Sequence, residues 1–402
     1  MTIDWFPFPI LLIVAGGAAL ESLLTKFDSD RLDGRLDPAT RAYLSETAHE
    51  QQLFLWVSTL LFCVFFALGG FASIDYVARA WAGSFGLGET ATGIGFFLLL
   101  GLLRQTISLP FAIRHTFGLE ARHGFNRTTP KTFLTDRIKS YALVLILGVP
   151  IGALVLSILE RSFFAAWAVW TLIELFLAWL MPVVFLPIFA KLTPLPAGTL
   201  AGRISALADQ LSFPFSQVYL MDGSRRSSKA NAFFAGFGAT RKIVLFDTLV
   251  SRLSEDEIVA VLAHEIGHWK LTHVPRRMAI GLVTSLAGFA AASWLWAQPP
   301  VSAALGLEKT YLHTALLSLT FLARPVSVVM TFFSSWLSRK HEYEADRFAR
   351  AALGGNAQTL ISALSGLALD HKSHPNPHPI RVALSYSHPT LSQRIAALNS
   401  PL

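Results

Sequence analysis

Seven apolar stretches of bilayer-spanning length organise this chain, near residues 8–25, 52–74, 91–112, 141–159, 164–190, 278–297 and 311–336. A hydrocarbon core about 30 Å thick takes about 20 apolar residues to cross as a helix. It admits helices because each backbone polar group is then satisfied within its own segment. With 53% hydrophobic and 15% charged residues, the chain has too little polar surface for a soluble domain of 402 residues. The sequence predicts an all-α integral-membrane protein with seven transmembrane helices. The first stretch has no basic leader and no small-residue cleavage pattern, so it reads as a retained helix and not as a signal peptide.

The net charge of +7 follows the topology of these stretches. Lys26, Arg31, Arg35 and Arg41 follow the first stretch, and a basic group from Arg114 to Lys139 follows the third. Most of the remainder lies between Lys191 and Arg277 and between Arg339 and Arg394. The opposite loops hold only Arg79, Arg161 and Lys309, while Arg104 and Arg324 fall inside apolar stretches. By the positive-inside rule the amino terminus is outside and the carboxyl terminus cytoplasmic. The charge is therefore no nucleic-acid footprint. Glu21, Arg104, Glu174 and Arg324, within or at the ends of the apolar stretches, are costly against lipid and point to a wet interior. The single cysteine, Cys63, builds neither a disulfide framework nor a thiolate metal site, so any metal must be held by His and carboxylates.

The chain divides into residues 1–193, with five transmembrane helices and cytoplasmic loops, a cytoplasmic catalytic subdomain over 194–277, two more transmembrane helices over 278–336, and a cytoplasmic carboxyl-terminal region over 337–402. Within the polar insertion a helix is expected at 198–212. Short strands follow at Gln217 to Met221, Ala232 to Phe237 and Lys242 to Phe246, separated by Asp222-Gly223 and Gly238-Ala-Thr240. Ser254-Glu-Asp-Glu257 is a capping box that starts the next helix, and Pro275 should end it. The tail reads as an irregular loop before a last short helix at 390–398.

His264-Glu-Ile-Gly-His268 lies within that capped helix. Residues four apart share a helix face, so both imidazoles can reach one ion, while Glu265 stands beside the water the metal activates. Catalytic zinc keeps three protein ligands and an open position and brings the pKa of a water to about 7. Glu265 would take that water's proton and pass it to the leaving amine. His273 is five residues past His268, not the six of the three-histidine metalloproteases, and the turn glycine is missing, so it reads as a surface residue. The run Ser338-Arg-Lys-His-Glu-Tyr-Glu-Ala-Asp346 offers two carboxylates four apart, Glu342 and Asp346. One can ligate the ion while the other hydrogen-bonds a ligand imidazole and fixes its tautomer. Glu344 points to another face.

At these residues the chain resembles the integral-membrane zinc CaaX prenyl proteases of the first type. Similar patterns occur at Arg122-His-Gly-Phe-Asn126, Ser227-Ser-Lys-Ala-Asn-Ala-Phe-Phe234 with Gly236-Phe-Gly238, Ile243-Val-Leu-Phe-Asp-Thr-Leu249, His264 to Trp269, Ser338 to Asp346, and Ser387-His-Pro-Thr390 with Arg394. The resemblance implies seven tilted helices ringing a large water-filled chamber, with a small α+β zinc-protease subdomain at its cytoplasmic end. It implies one Zn2+ per chain, Glu342 as the third ligand, and His388 as a donor to the oxyanion. Asn231 and Ala232 would hold the substrate backbone by strand addition, and Arg394 would orient the region around His388. The expected partners are the lipid bilayer and a peptide or protein substrate, prenylated at a carboxyl-terminal cysteine or otherwise membrane-associated, acted on by a monomer. A bacterial inner membrane is favoured over an endoplasmic reticulum by the short loops. Two rivals remain: a membrane-protein quality-control metalloprotease without prenyl specificity, and a channel or transporter with a structural zinc.

Overall fold

The computed structural model describes residues 7–32, 36–236, 241–298, 305, 307 and 309–400. Arg35, the expected turn at 238–240 and the last residue of the strand expected at 232–237 lie outside the described residues. Among the described residues six helices are long and apolar enough to cross a bilayer, and a bent pair supplies up to a seventh. They are α1 (Pro7–Ser29), α2 (Pro38–Ala67), α4 (Glu89–Glu120), α5 (Pro130–Leu159), α6 (Phe163–Phe189) and α9 (His273–Trp296). The bent pair is α10 (Leu312–Leu322) and α11 (Arg324–Ala352), which meet at 55°. The sequence pattern suggested one continuous span there. Pro325 in the first turn of α11 explains the break, since its ring has no N–H to donate to the preceding turn.

The stretch expected at 52–74 is likewise divided. Gly69, at φ 67°, takes the left-handed conformation that ends α2, and a separate helix α3 (Gly70–Ser84) follows. Gly70 admits the Phe65 ring where a Cβ would overlap it.

Helix contacts run from α1 to α2, α3, α4, α5, α6, α9 and α10 in turn, and α10 returns to α1, closing a ring. Most side chains along the spans are solvent-accessible in the absence of a bilayer, as expected of helices that face lipid. Glu21 on α1 pairs with Arg381 at 2.5 Å, and the Arg324 guanidinium lies against Gly17 of α1. Arg104 and Glu174 are exposed on α4 and α6.

On one end of the ring sits a small α+β unit. Strand β1 (Leu192–Pro194), unforeseen in the sequence, pairs antiparallel with β2 (Gln217–Met221). Helix α7 (Thr199–Gln210) connects them. Strands β3 (Ala232–Ala235) and β4 (Lys242–Phe246) form an antiparallel pair, and β4 runs parallel to β2, giving the order β1-β2-β4-β3. β3 is thus an edge strand. β4 is central, and Ile243, Val244 and Leu245 are fully buried. Helix α8 (Glu255–Lys270) packs beside this sheet, and the tail adds α12 (Gln358–Asp370), α13 (Pro379–Ser385) and α14 (Leu391–Asn399).

Candidate active site

Both halves of the Ser254 and Glu257 capping box are formed at the start of α8. Ile258, Leu262 and Ile266, four residues apart, are each 1% exposed and anchor one face of the helix in the core. That anchoring turns His264, Glu265 and His268 toward a cavity of about 970 Å³. The helix ends at Lys270, before Pro275: Thr272, at φ 57°, makes the corner, and Pro275 sits in the first turn of α9. A proline there forfeits no hydrogen bond, so it opens a helix as readily as it stops one.

α8 packs against α11. At the contact, Gly267 lies so close that a Cβ would meet Phe348 Cδ1 at 3.0 Å and the Ala345 backbone at 3.3 Å. The close approach sets Glu342 opposite the two imidazoles. His264 Nε2 and His268 Nε2 are 3.2 Å apart, and Glu342 Oε2 and Oε1 stand 3.5 Å and 3.3 Å from them respectively. Ligand atoms 2.0–2.2 Å from one tetrahedral zinc would be separated by about 3.3 Å, so the donor set has the edges of a zinc site. Glu342 Oε2 is buried without a hydrogen-bond partner, a costly state that a cation removes. The three side chains fit a divalent metal.

Around them is a layer of charge. Asp346 Oδ1 lies 2.8 Å from His264 Nδ1 and accepts its proton, which leaves the Nε2 lone pair facing the other donors. Arg394, on α14, forks onto Asp346 with Nε to Oδ2 at 2.8 Å and Nη2 to Oδ1 at 2.6 Å. Nη2 is also 3.4 Å from His264 Nδ1, but that nitrogen cannot both donate to Asp346 and accept from Arg394, and the shorter contact decides. Without a cation in the pocket, burial opposes a charge on His264, yet the Asp346 hydrogen bond and the neighbouring Glu342 carboxylate outweigh this and push its pKa up to about 9. Burial likewise opposes the Arg394 charge, and the Asp346 hydrogen bond more than offsets it. The pocket attracts positive charge.

Glu265 is half-buried and lines the cavity with Asn231, Ala232 and His388. His388 is exposed, its Nε2 lies 3.5 Å from Glu342 Oε1, and Ser387 Oγ is 2.9 Å from its Nδ1. Arg394 shares a short segment with His388 but bonds Asp346. The residue that grips the chain leading to His388 is Arg339, donating to the carbonyls of Val382 at 2.8 Å, Tyr386 at 2.7 Å and Ala383 at 3.3 Å. Its signal in the sequence was its place three residues before Glu342, on the same helix face. Asn231 uses its carbonyl to accept from Phe246 N at 3.0 Å and its side chain to accept from Ala232 N at 2.9 Å, at the start of the edge strand.

One expectation is overturned. His273 is no surface residue: it is 2% exposed, with Nδ1 3.0 Å from His268 Nδ1 and Nε2 3.0 Å from Glu344 Oε2. The helix corner at Thr272, invisible in the spacing of the motif, swings it back under His268.

A family model described as Peptidase family M48 matches residues 194–402, a little over half of the chain. The chain belongs to peptidase family M48. A second model, described as CAAX prenyl protease N-terminal with five membrane helices, matches residues 37–191 of this M48 peptidase. A CAAX prenyl protease 1 homolog of Oryza sativa is 36% identical over 299 residues, covering 73% of this chain and 70% of that protein. CAAX prenyl protease 1 of Saccharomyces cerevisiae is 35% identical over 331 residues, covering 77% and 72%. The crystal structure of S. mikatae Ste24p superposes with a TM-score of 0.90 at 30% identity, covering 99% of each chain. This M48 peptidase is a multi-pass membrane zinc metalloprotease.

Proposed function

We propose that this M48 peptidase hydrolyses peptide bonds in substrates that reach it from the membrane, with peptides prenylated at a carboxyl-terminal cysteine as the preferred class. The observation that carries the reading is the convergence of His264, His268 and Glu342, three donors and not four among the described residues, beside an open cavity of about 970 Å³. A closed structural site would present four. The names of the similar CAAX prenyl proteases supply the substrate class.

In this mechanism His264, His268 and Glu342 hold one zinc per chain. A zinc ion there would act as a Lewis acid toward the scissile carbonyl and make a nearby water more acidic. Glu265 accepts the proton of the attacking water and delivers it to the leaving amine nitrogen. His388, exposed to the cavity and close to Glu342, donates Nε2–H to the carbonyl oxygen as it gains charge. The edge of β3, from Asn231 and Ala232, aligns the peptide backbone in extended form so that alternate side chains face the cavity. In this reading a water-filled chamber within the ring of helices would pass a lipid-linked peptide to this end. The charge distribution supports a cytoplasmic site with the amino terminus outside, and the proposed working unit is a monomer.

The test is cleavage by purified protein in detergent of one peptide with and without a prenyl group, each with and without a chelator. Cleavage that the chelator stops, faster on the prenylated peptide, is expected. Full zinc occupancy without cleavage of either form would return the chain to the structural-zinc rival, and equal rates would favour general quality control. His388→Ala should lower kcat by about 10²–10³-fold with zinc content unchanged, the loss typical of an oxyanion donor. Loss of zinc in that variant would make His388 a ligand.

A further inference from the structure

We propose that Glu344 and His273 form a hydrogen-bonded relay that fixes the tautomer of His268 and keeps its Nε2 lone pair aimed at the metal. The inference rests on the reading of His268 as a zinc ligand. A carboxylate can only accept, so the 3.0 Å contact between Glu344 Oε2 and His273 Nε2 puts the His273 proton on Nε2. The neutral ring then has a bare Nδ1, which accepts from His268 Nδ1 at 3.0 Å. His268 must carry its own proton on Nδ1, and its Nε2, 3.2 Å from His264 Nε2, is left unprotonated. Each metal-facing imidazole thus has its own orienting chain: Asp346 acts on His264 directly, and Glu344 acts on His268 through a second imidazole. His341 stacks on His273 at 3.9 Å and 6°, which fixes the plane of the relaying ring.

The same side chains raise a competing possibility, because His273, His341 and Glu344 bring three ligand atoms within 4.8 Å of one another. Three observations favour the relay over a second cation. Stacked parallel rings direct their in-plane lone pairs along parallel planes, a poor approach to a shared ion. Lys340 Nζ is 4.0 Å from Glu344 Oε1, and the charges of Arg276 and Arg277 are felt at His341, so positive charge already crowds the triad. Finally, an ion on His273 Nε2 would move that ring's proton to Nδ1, and His268 would have to place its own proton on Nε2, where it would block the first site. The two sites exclude each other while the His268 and His273 contact is intact.

The experiment measures zinc stoichiometry and affinity of the full chain in detergent, by competition with a chromophoric chelator, for wild type, His268→Ala, His273→Leu, His273→Asn and Glu344→Leu. Thermal unfolding in excess chelator reports folding separately. One zinc per wild-type chain, its loss in His268→Ala, and a 10–100-fold weaker affinity in His273→Leu are expected, the range found when a partner of a metal-bound histidine is removed. His273→Asn, whose Oδ1 replaces the Nδ1 acceptor, should recover most of that affinity, and Glu344→Leu, which removes the acceptor of the His273 proton, should lie between. Unchanged affinity in a folded His273→Leu would overturn the relay. Two zinc ions per wild-type chain, one of them lost in His273→Leu, would replace it with the second cation site. If His273→Leu does not fold, Glu344→Leu decides, because leucine has no acceptor for the His273 Nε2–H: the Glu344 side chain is 24% exposed, and wild-type affinity there also overturns the proposal. Retention of zinc by His268→Ala would refute the ligand reading itself, a different failure.

Discussion

Glu265→Gln is expected to abolish peptide cleavage while leaving the metal in place. The amide keeps the size and hydrogen-bonding reach of the carboxylate but cannot take up the proton of the attacking water, and general-base catalysis contributes about 10²–10⁴-fold. A kcat lower by at least 10³-fold is expected here, because the same group also returns the proton to the leaving amine. Glu265 lines the cavity without belonging to the three-donor cluster, so zinc content by metal analysis and the melting temperature should stay at wild-type values. Turnover within tenfold of wild type would show that another group takes the proton.

The second large effect belongs to Glu342→Gln, which should lose both metal and activity. The carboxylate is 5% exposed and is the one anionic donor in the cluster. Its amide replacement presents a neutral oxygen and two protons to the buried imidazoles and to Arg394, whose Nη1 is 3.6 Å from Glu342 Oε2. Removing a partner of a metal-bound histidine typically costs 10–100-fold in affinity, and loss of the anionic donor itself should exceed about 10²-fold. Dialysis followed by metal analysis reads this directly. Asp346→Asn, which touches His264 at Nδ1 and not the metal-facing atom, should fall in the smaller range; the reverse order would exchange the two carboxylates' roles.

The membrane class and the helix carrying the histidine pair were legible because both rest on local signals: unbroken apolar length, and a cap followed by residues on one face. The breaks were less legible. Gly69 and Pro325 lie inside or beside apolar runs whose hydropathy does not register a left-handed residue or a missing N–H. β1 is three residues long and borrows its structure from β2, so propensity gave no warning of it. In the site, Glu342 and Asp346 stood out by helical spacing. His273 did not, since its burial depends on a corner at Thr272 that has no turn glycine to announce it. Arg339 grips carbonyls, and a contact to backbone leaves no pattern in side-chain identities.

The glycine between the two motif histidines bears on how stiff the site is in each direction. Because Gly267 meets Ala345 and Phe348 so closely that a methyl group would have to push them aside, the spacing between the imidazole pair and the carboxylate is set by one helix lying on another. The opposite wall is built differently: His388 rides on a short segment held before it by Arg339 on backbone carbonyls and after it by the fork of Arg394 onto Asp346. A peptide entering between them meets a floor spaced by helix packing and a ceiling hung on side-chain hydrogen bonds, so the dimensions of the coordination cage are set independently of the segment that carries His388.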